Sequence, residues 1–237
     1  MNYEAILFDL DGTLLPMDFD EFTRGYFSLL AKTVAPLGYE KESMIRSMWQ
    51  GVAAMMKNDG ARTNFEVFWE VFASLEGKQS YDHIPNFDRF YENEFHAVKA
   101  LTQPTERARE AVLAARRNAN LVVLATNPIF PAVAVRSRLA WAGLSEDDFD
   151  LVTHYENSTF SKPNPKYFTD IANKLGVDPN NCLMVGNNAD EDILPAQAAG
   201  MSTFLLTDCL MSKSDTLPDS PRGSWDALME ELDRDGI

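Results

Sequence analysis

The chain has 237 residues, of which 45% are hydrophobic and 11% are aromatic. This apolar content can offset the entropy of ordering most of the chain, which argues against an intrinsically disordered protein. Acidic residues outnumber basic residues by 36 to 21, giving a formal net charge of -15. Because no Lys or Arg block breaks this balance, nucleic acid and anionic membranes are disfavoured as partners.

The first residues contain no basic segment followed by a long apolar one, and no apolar stretch approaches the ~20 residues needed to cross a bilayer. We therefore expect a cytoplasmic protein without a membrane partner, either a monomer or a homodimer. The net charge does not exclude an anionic substrate, because one bound divalent cation can supply local positive charge within an acidic surface.

Short apolar runs bounded by polar or glycine-containing turns predict buried parallel strands. These runs are Ala5–Leu10, Leu121–Ala125, Leu183–Val185 and Thr203–Leu206. Helical patterns separate the later runs, at residues 106–118, 132–142, 165–175 and 193–199. The alternation of strand and helix predicts an α/β fold with a doubly wound, mainly parallel sheet.

The segment between the first and second strands is too long for a crossover helix. Its apolar residues recur at helical spacing within Phe19–Leu30, Met44–Met56 and Phe65–Phe72, and a last helix is predicted over Phe87–Lys99. Turn residues, mainly glycine with proline or aspartate, separate these stretches. The pattern predicts a helical insert of about four helices.

Two carboxylates, Asp9 and Asp11, follow the first strand and are followed at once by Gly12-Thr13. As the chain leaves the strand, both can converge on one pocket above its carboxyl end. Such a pair can divide its roles: one carboxylate remains ionised as nucleophile and metal ligand, while the other carries a proton to and from the reacting oxygens.

Three later segments also place polar side chains at a predicted strand end or helix entrance. They are Thr126-Asn127, Ser161–Pro165 and Val185–Ile193. In this order, and with the D-x-D-G-T run at Asp9, they resemble the four motifs of the haloacid dehalogenase-like (HAD) hydrolases. The resemblance implies a Rossmann-like core in which Asp9 is the nucleophile and Asp11 the general acid and base.

The resemblance also implies binding sites for the phosphoryl group and for a metal. Thr126, Asn127 and Lys162 would bind phosphoryl oxygens, and Lys162 would also neutralise the nucleophile. Mg²⁺ would be held by Asp9, the Asp11 backbone carbonyl, Asn187, Asp192 and waters.

The fourth segment departs from the family pattern at one position. Asn187 stands where the family usually has an acid, and Asp192 matches the second acid. Asp190 and Glu191 are further acids nearby, and both are more simply explained as the solvated start of a helix.

The family places a cap domain where the helical insert lies. We therefore expect a core domain of residues 1–15 and 103–237 and a helical cap of residues 16–102. Arg24, Lys57 and Arg62 are the cap cations considered for substrate contact, although most Lys and Arg side chains are solvated. The aromatic and Met stripes most simply form the core of the cap bundle, and a hydrophobic leaving-group pocket is the alternative.

These features predict a Mg²⁺-dependent phosphohydrolase that acts on a small phosphorylated metabolite through an aspartyl-phosphate intermediate. Its partner would be a small-molecule phosphate ester. Asn187 leaves open a pseudoenzyme with a weakened metal site and a binding or regulatory role. A phosphomutase also remains open. So does a phosphonate-cleaving enzyme, which would need an amine in the cap such as Lys57 or Lys41. A dehalogenase would not need Asp11.

Overall fold

The structure is a computed structural model that describes residues 3–233. Six strands form one sheet in the order β3-β2-β1-β4-β5-β6, and every neighbouring pair is parallel. The strands are β1 (Tyr3–Phe8), β2 (Ala119–Leu124), β3 (Leu151–Val152), β4 (Cys182–Gly186), β5 (Ser202–Leu206) and β6 (Arg222–Gly223). The predicted α/β class is confirmed.

Helices lie on both faces of the sheet and in the insert after β1. The insert contains α1 (Phe19–Val34), α2 (Lys41–Met56), α3 (Asn64–Glu76) and α4 (Ile84–Glu92). The remaining helices are α5 (Glu106–Asn118), α6 (Ala132–Trp141), α7 (Pro165–Leu175), α8 (Leu194–Ala198) and α9 (Trp225–Asp233). Within the described residues, no helix is both long enough and apolar enough to span a membrane.

The side chains of β1 alternate between two separate cores. Ile6 and Phe8 pack into a core that includes residues of α5, α6, α9 and the insert. Ala5 and Leu7 pack into a second core with residues of α7 and α8. Because successive strand residues point to opposite faces, burial of all four indicates a sheet covered on both sides.

The strand order reverses at β1, which lies between β2 and β4. Phe8 is aligned with Leu124 of β2 and with Val185 of β4, so these three strands end at the same level. In open α/β sheets, the crevice beyond the carboxyl ends of the strands at such a reversal is where ligands bind.

The structure differs from the sequence-based prediction in the last helix of the insert. The predicted helix Phe87–Lys99 is wrong: α4 ends at Glu92, and a 3-10 helix covers Glu94–Leu101. At the break, the Asn93 side chain donates a hydrogen bond to the Arg89 carbonyl oxygen at 2.8 Å. An Asn side chain that bonds the backbone in this way competes with the helical hydrogen-bond pattern.

The prediction also missed three short elements elsewhere. The strands β3 and β6 have two residues each, too few to give an alternating pattern. Before α8, Ala189–Ile193 forms a π-helix rather than a loop leading into the predicted helix at residues 193–199. Asn188 caps this turn by accepting hydrogen bonds from the amides of Asp190 and Glu191.

The two chain segments that connect the insert to the sheet run side by side. Met17 and Thr102 form an antiparallel bridge, and the Gln103 amide donates to the Pro16 carbonyl oxygen at 2.8 Å. The insert therefore leaves and rejoins the sheet at one place, next to the end of β1.

Candidate active site

Asp9 is the first residue after β1, and its backbone is fixed by the neighbouring strand. Its amide donates a hydrogen bond to the Val185 carbonyl oxygen at 3.0 Å, so Asp9 continues the pairing of β1 with β4. The residue is only 7% exposed. Its carboxylate therefore lies at the floor of the crevice rather than in bulk water.

Lys162 connects Asp9 to the fourth segment. Its Nζ lies 2.8 Å from Asp9 Oδ1 and 2.5 Å from Asp192 Oδ1, and its side chain is almost fully buried. Burial alone would lower the pKa of Lys162, but the Asp192 and Asp9 carboxylates outweigh that effect, and the pKa is raised. The ammonium is therefore protonated at neutral pH.

Asp192 is held from two sides. Lys162 donates to its Oδ1, and the backbone amide of Asn188 donates to its Oδ2 at 2.9 Å. Burial raises the pKa of Asp192, and Lys162 opposes this shift. We take the pair to be ionised, because a buried ammonium 2.5 Å from a carboxylate favours the charged form of both.

Asp11 is paired with a buried arginine that the sequence did not single out. Arg138 of α6 donates from Nη1 to Asp11 Oδ2 and from Nε to the Ala134 carbonyl oxygen. The guanidinium carbon lies 4.3 Å from the centre of the Phe130 ring. Arg138 is completely buried, so its charge is compensated chiefly by Asp11.

The other oxygen of Asp11 has no hydrogen-bond partner among residues 3–233. Burial raises the pKa of Asp11, Arg138 lowers it, Asp9 raises it, and the net shift is upward. A carboxyl group with a raised pKa and a free oxygen can donate a proton to a leaving group and later accept one from water.

Gly12 and Thr13 bring Asn187 against the first loop. Gly12 has φ +88°, and a β-carbon there would lie 2.4 Å from Asn187 Nδ2, so both the backbone conformation and the space require glycine. Thr13 Oγ1 lies 3.0 Å from Asn187 Oδ1 and 3.4 Å from Asp9 Oδ2. Asn187 Nδ2 donates to the Cys209 carbonyl oxygen at 2.7 Å.

A cavity of about 190 Å³ contains the predicted site residues other than Lys162, which lies beneath its wall. Residues from the ends of three strands line it: Asp9 and Asp11, Thr126 and Asn127, and Asn187 and Asp192. We refer to it as the catalytic cavity. The structure thus brings together every residue that the sequence assigned to catalysis, phosphate or metal.

Glu191 joins this group, contrary to its simpler interpretation as a solvated helix start. It lines the catalytic cavity and accepts a hydrogen bond from Asn127 Nδ2 at 3.2 Å. Burial raises the pKa of Glu191. Asp190 instead points away, accepting from the Lys213 amide at 2.7 Å.

The donor set around the catalytic cavity suits a hard divalent cation. Among the described residues, no three His, Cys, Asp or Glu side chains are grouped as a metal site, so a cation would also need the Asn187 amide oxygen or a backbone carbonyl. All these donors are oxygens, as Mg²⁺ prefers. Four carboxyl groups line the cavity, those of Asp9, Asp11, Glu191 and Asp192, and only two cations, Lys162 and Arg138, pair with them, which leaves an excess of acidic groups for a divalent ion to offset.

The insert is fastened to the sheet beside this cavity by Asn64, at the start of α3. Asn64 is fully buried, and its Nδ2 donates to Ser161 Oγ at 2.9 Å and to the Pro128 carbonyl oxygen at 3.1 Å. The backbone amide of Asn64 donates to the Ser158 carbonyl oxygen at 2.8 Å. The loop that carries Lys162 is therefore bonded directly to the insert.

The cations considered in the insert lie elsewhere. Arg24 and Lys57 are exposed, and Arg62 forms an exposed ion pair with Glu70 at 2.5 Å. None of the three lines the catalytic cavity.

A family model described as haloacid dehalogenase-like hydrolase matches residues 3–200. The chain belongs to this family. The resemblance found in the sequence is thereby confirmed over nearly the whole chain.

Similar proteins agree with this assignment. Phosphatase MT3486 from Mycobacterium tuberculosis is 29% identical over 211 residues, covering 87% of this chain and 88% of that protein. A phosphoglycolate phosphatase from Neisseria gonorrhoeae is 27% identical over 239 residues, covering 98% and 94% respectively. The predicted class of enzyme, a phosphatase of the HAD family, is confirmed.

Among solved structures, the fold resembles the HAD-hydrolase YfnB from Bacillus subtilis, which was crystallised bound to magnesium. The TM-score is 0.62 at 18% identity, with 98% of this chain and 100% of that chain covered. At this level of identity the likeness concerns the fold.

We expect Asn187→Asp to lower the free energy of unfolding by about 1–3 kcal/mol without Mg²⁺, because a carboxylate cannot donate to the Cys209 carbonyl oxygen. Added Mg²⁺ should reduce this loss, since a carboxylate at position 187 should bind Mg²⁺ more tightly than the amide and so stabilise the folded variant more than the folded wild type. Urea unfolding with and without Mg²⁺ measures both effects. Asn173→Asp, an exposed substitution of equal charge, is the control; a loss that Mg²⁺ leaves unchanged would contradict a ligand role for Asn187.

Removing either partner of the Asp11–Arg138 pair should destabilise the protein. We expect Asp11→Asn and Arg138→Met each to cost about 3 kcal/mol, because each leaves a buried charge uncompensated, and the double variant to cost less than their sum. Chemical unfolding of the four proteins gives the coupling energy. Arg62→Met breaks an exposed ion pair and should cost far less than either of these substitutions. Additive losses in the cycle would show that the two charges are independent.

Proposed function

We propose that this chain is a Mg²⁺-dependent phosphohydrolase that acts on a small phosphorylated metabolite through an aspartyl-phosphate intermediate. The observation that carries the proposal is the position of Asp9 on the wall of the catalytic cavity, with Lys162 on one oxygen and Asp11 on the same wall. A nucleophile, a charge-neutralising cation and a proton donor are thus present together.

In the first step, Asp9 attacks the phosphorus atom and the bond from phosphorus to the leaving oxygen breaks. Asp9 Oδ2 is the candidate nucleophilic atom, because Oδ1 accepts the short hydrogen bond of 2.8 Å from Lys162 while Oδ2 has only the 3.4 Å contact with Thr13 Oγ1. Thr126 and Asn127 line the cavity next to it and can bind the phosphoryl oxygens. Asp11, protonated on its free Oδ1 once the phosphoryl anion enters the cavity, transfers this proton to the leaving oxygen.

In the second step, water attacks the phosphorus of the aspartyl phosphate. Asp11, now ionised, accepts the proton of that water, and the bond between Asp9 and phosphorus breaks. Inorganic phosphate leaves, while the Asp9 carboxylate and the protonated Asp11 are restored. The same residue therefore serves as acid and then as base.

Mg²⁺ would be held by the Asp9 carboxylate, the Asp11 backbone carbonyl, Asn187 and Asp192. When bound, it would offset the repulsion between a carboxylate nucleophile and an anionic phosphoryl group. The excess of carboxylates over cations around the cavity supports this assignment, as does the all-oxygen donor set.

We further propose that residues 16–102 act as a cap over the core formed by residues 1–15 and 103–237. The cap would exclude water and position the leaving group. Relatives named phosphatases, among them a phosphoglycolate phosphatase, support a small phosphate ester as the substrate. A cytoplasmic monomer or homodimer remains the simplest setting.

The alternatives receive less support. For a phosphonate-cleaving enzyme, the amine of Lys57 or Lys41 should reach the cavity, but both residues are exposed and neither lines it. A pseudoenzyme would rest on Asn187 alone, whose amide oxygen can still bind a cation.

Asp9→Asn should abolish turnover and the hydroxylamine-labile phosphoprotein expected of an acyl phosphate, because an amide is a poor nucleophile. Acid-quenched incubation with a ³²P-labelled phosphate ester measures the phosphoprotein. Asp190→Asn is the matched control, since Asp190 lies in the fourth segment but outside the cavity lining, and it should retain turnover. Appreciable turnover by Asp9→Asn would overturn the assignment of the nucleophile.

Asp11→Asn should slow alkyl phosphates by about 10²- to 10⁴-fold, the scale of general acid–base catalysis. The loss should be smaller for p-nitrophenyl phosphate, whose leaving group departs without protonation. Steady-state kinetics with both substrates gives the comparison. Arg138→Met is the control, because it removes the ion pair with Asp11 but keeps the carboxyl group, and so shows how much of the rate loss comes from the ion pair alone. Equal losses for the two leaving groups would argue against Asp11 as the acid.

A further inference from the structure

A second cavity, of about 80 Å³, lies between the insert and the sheet and adjoins the catalytic cavity. Eleven of its sixteen lining residues are aromatic, and Asp11 is the one charged residue among them. We call it the aromatic chamber. Both cavities share the residues Asp11, Phe19, Trp49, Val52, Ile129 and Phe130.

The polar atoms of the aromatic chamber are largely bonded to one another. The hydroxyls of Tyr26 and Tyr91 lie 2.6 Å apart, and Trp69 Nε1 donates to the Tyr155 hydroxyl at 3.3 Å. Burial raises the pKa of Tyr26, Tyr91 and Tyr155, so all three are neutral. The chamber therefore offers apolar surface and no fixed positive charge.

Two aromatic side chains at the mouth lack the cover that large apolar side chains usually have. Phe19 is 42% exposed and Trp49 is 45% exposed, and both line both cavities. Their neighbour Phe27 lies 5.3 Å from Trp49 between ring centres. Adjacent exposed aromatic side chains at the entrance of a pocket are typical of a ligand-binding surface.

A leaving group with its own negative charge would find no partner here. No Lys, Arg or His lines either cavity within the described part of the chain. Arg138 is fully buried against Phe130 and already paired with Asp11. Burying an unpaired carboxylate against aromatic walls is strongly unfavourable.

The size of the space fits one ring. The catalytic cavity measures about 190 Å³ but must also hold the phosphoryl group, so the ring would extend into the adjoining aromatic chamber of about 80 Å³. For comparison, an apolar protein cavity of ~150 Å³ binds benzene. A ring bonded through one carbon to the ester oxygen could lie against Trp49 and Phe19 while the phosphoryl group reaches Asp9.

We propose that the leaving group is an uncharged aromatic or arylalkyl alcohol, held between Phe19, Trp49 and the wall of Ile129 and Phe130. This inference rests on the proposed phosphatase function and specifies its substrate class. The proposed substrate class differs from phosphoglycolate, for which a relative of this chain is named, because the leaving group of phosphoglycolate carries a carboxylate.

The test compares kcat/KM for benzyl phosphate, ethyl phosphate, 4-carboxybenzyl phosphate and phosphoglycolate at fixed Mg²⁺. The kcat/KM for benzyl phosphate should exceed that for ethyl phosphate by about 10- to 100-fold, which corresponds to the free energy of burying one aromatic ring. It should exceed those for both carboxylated substrates by at least as much. A preference for phosphoglycolate, or equal values for benzyl and ethyl phosphate, would overturn the proposal.

Two substitutions and one control test which residues cause the preference for an aromatic leaving group. Trp49→Ala should lower kcat/KM for benzyl phosphate about tenfold more than for ethyl phosphate. Val52→Lys should shift the preference towards 4-carboxybenzyl phosphate by supplying a cation. Leu75→Ala removes a similarly exposed apolar side chain of the insert, outside both cavity linings, and should change neither ratio. Equal losses for both substrates with Trp49→Ala would count against a leaving-group contact.

A binding measurement keeps this inference separate from the proposed function. Calorimetry with benzylphosphonate and methylphosphonate in the presence of Mg²⁺ requires no turnover. Tighter binding of benzylphosphonate, lost in Trp49→Ala, would support the aromatic site even if no ester were hydrolysed, in which case the phosphatase assignment alone would fail. Equal binding of the two phosphonates, or none, would overturn the aromatic site while leaving Asp9-dependent hydrolysis intact.

Discussion

The buried ammonium of Lys162 is the interaction on which the rest of the site depends. It lies 2.8 Å from Asp9 and 2.5 Å from Asp192, and so joins the end of β1 to the segment after β4. Without it, two carboxylates would be buried close together with no cation between them, a strongly unfavourable arrangement. The loop that supplies Lys162 is in turn bonded to the insert through Ser161 and Asn64.

This pairing also determines what an anionic substrate requires. The positive charge of Lys162 is already compensated by Asp9 and Asp192, and that of Arg138 by Asp11. Glu191 adds a further carboxylate to the wall when it is ionised. The protein alone therefore presents a negative cavity to a negative phosphoryl group. An additional cation would offset the repulsion between them.

The sequence located the residues that belong to local motifs and missed those that act through tertiary contact. Asp9, Lys162 and Asp192 could be found because each lies in a short pattern at a strand end or helix entrance. Arg138 could not, because a single arginine on a helix usually faces solvent, and only the fold shows it buried under Phe130. Asn64 was missed for the same reason. Helical periodicity predicts which side chains of the insert are buried, but it does not distinguish a filled core from a chamber.

The two cavities suggest how chemistry and selectivity are divided between the parts of the chain. Asp11 is oriented by Arg138, which α6 holds through the Ala134 carbonyl oxygen, so the position of the proposed acid is set by the sheet and its helices. Trp49 and Phe19 belong to α2 and α1 of the insert and touch no catalytic side chain by hydrogen bond or ion pair in the described structure. Substitutions in those helices can therefore change which leaving group is accepted while the acid keeps its position. Because a bound ring would also exclude water beside Asp11, it would further disfavour the ionised form of this carboxyl group and so couple leaving-group binding to proton transfer.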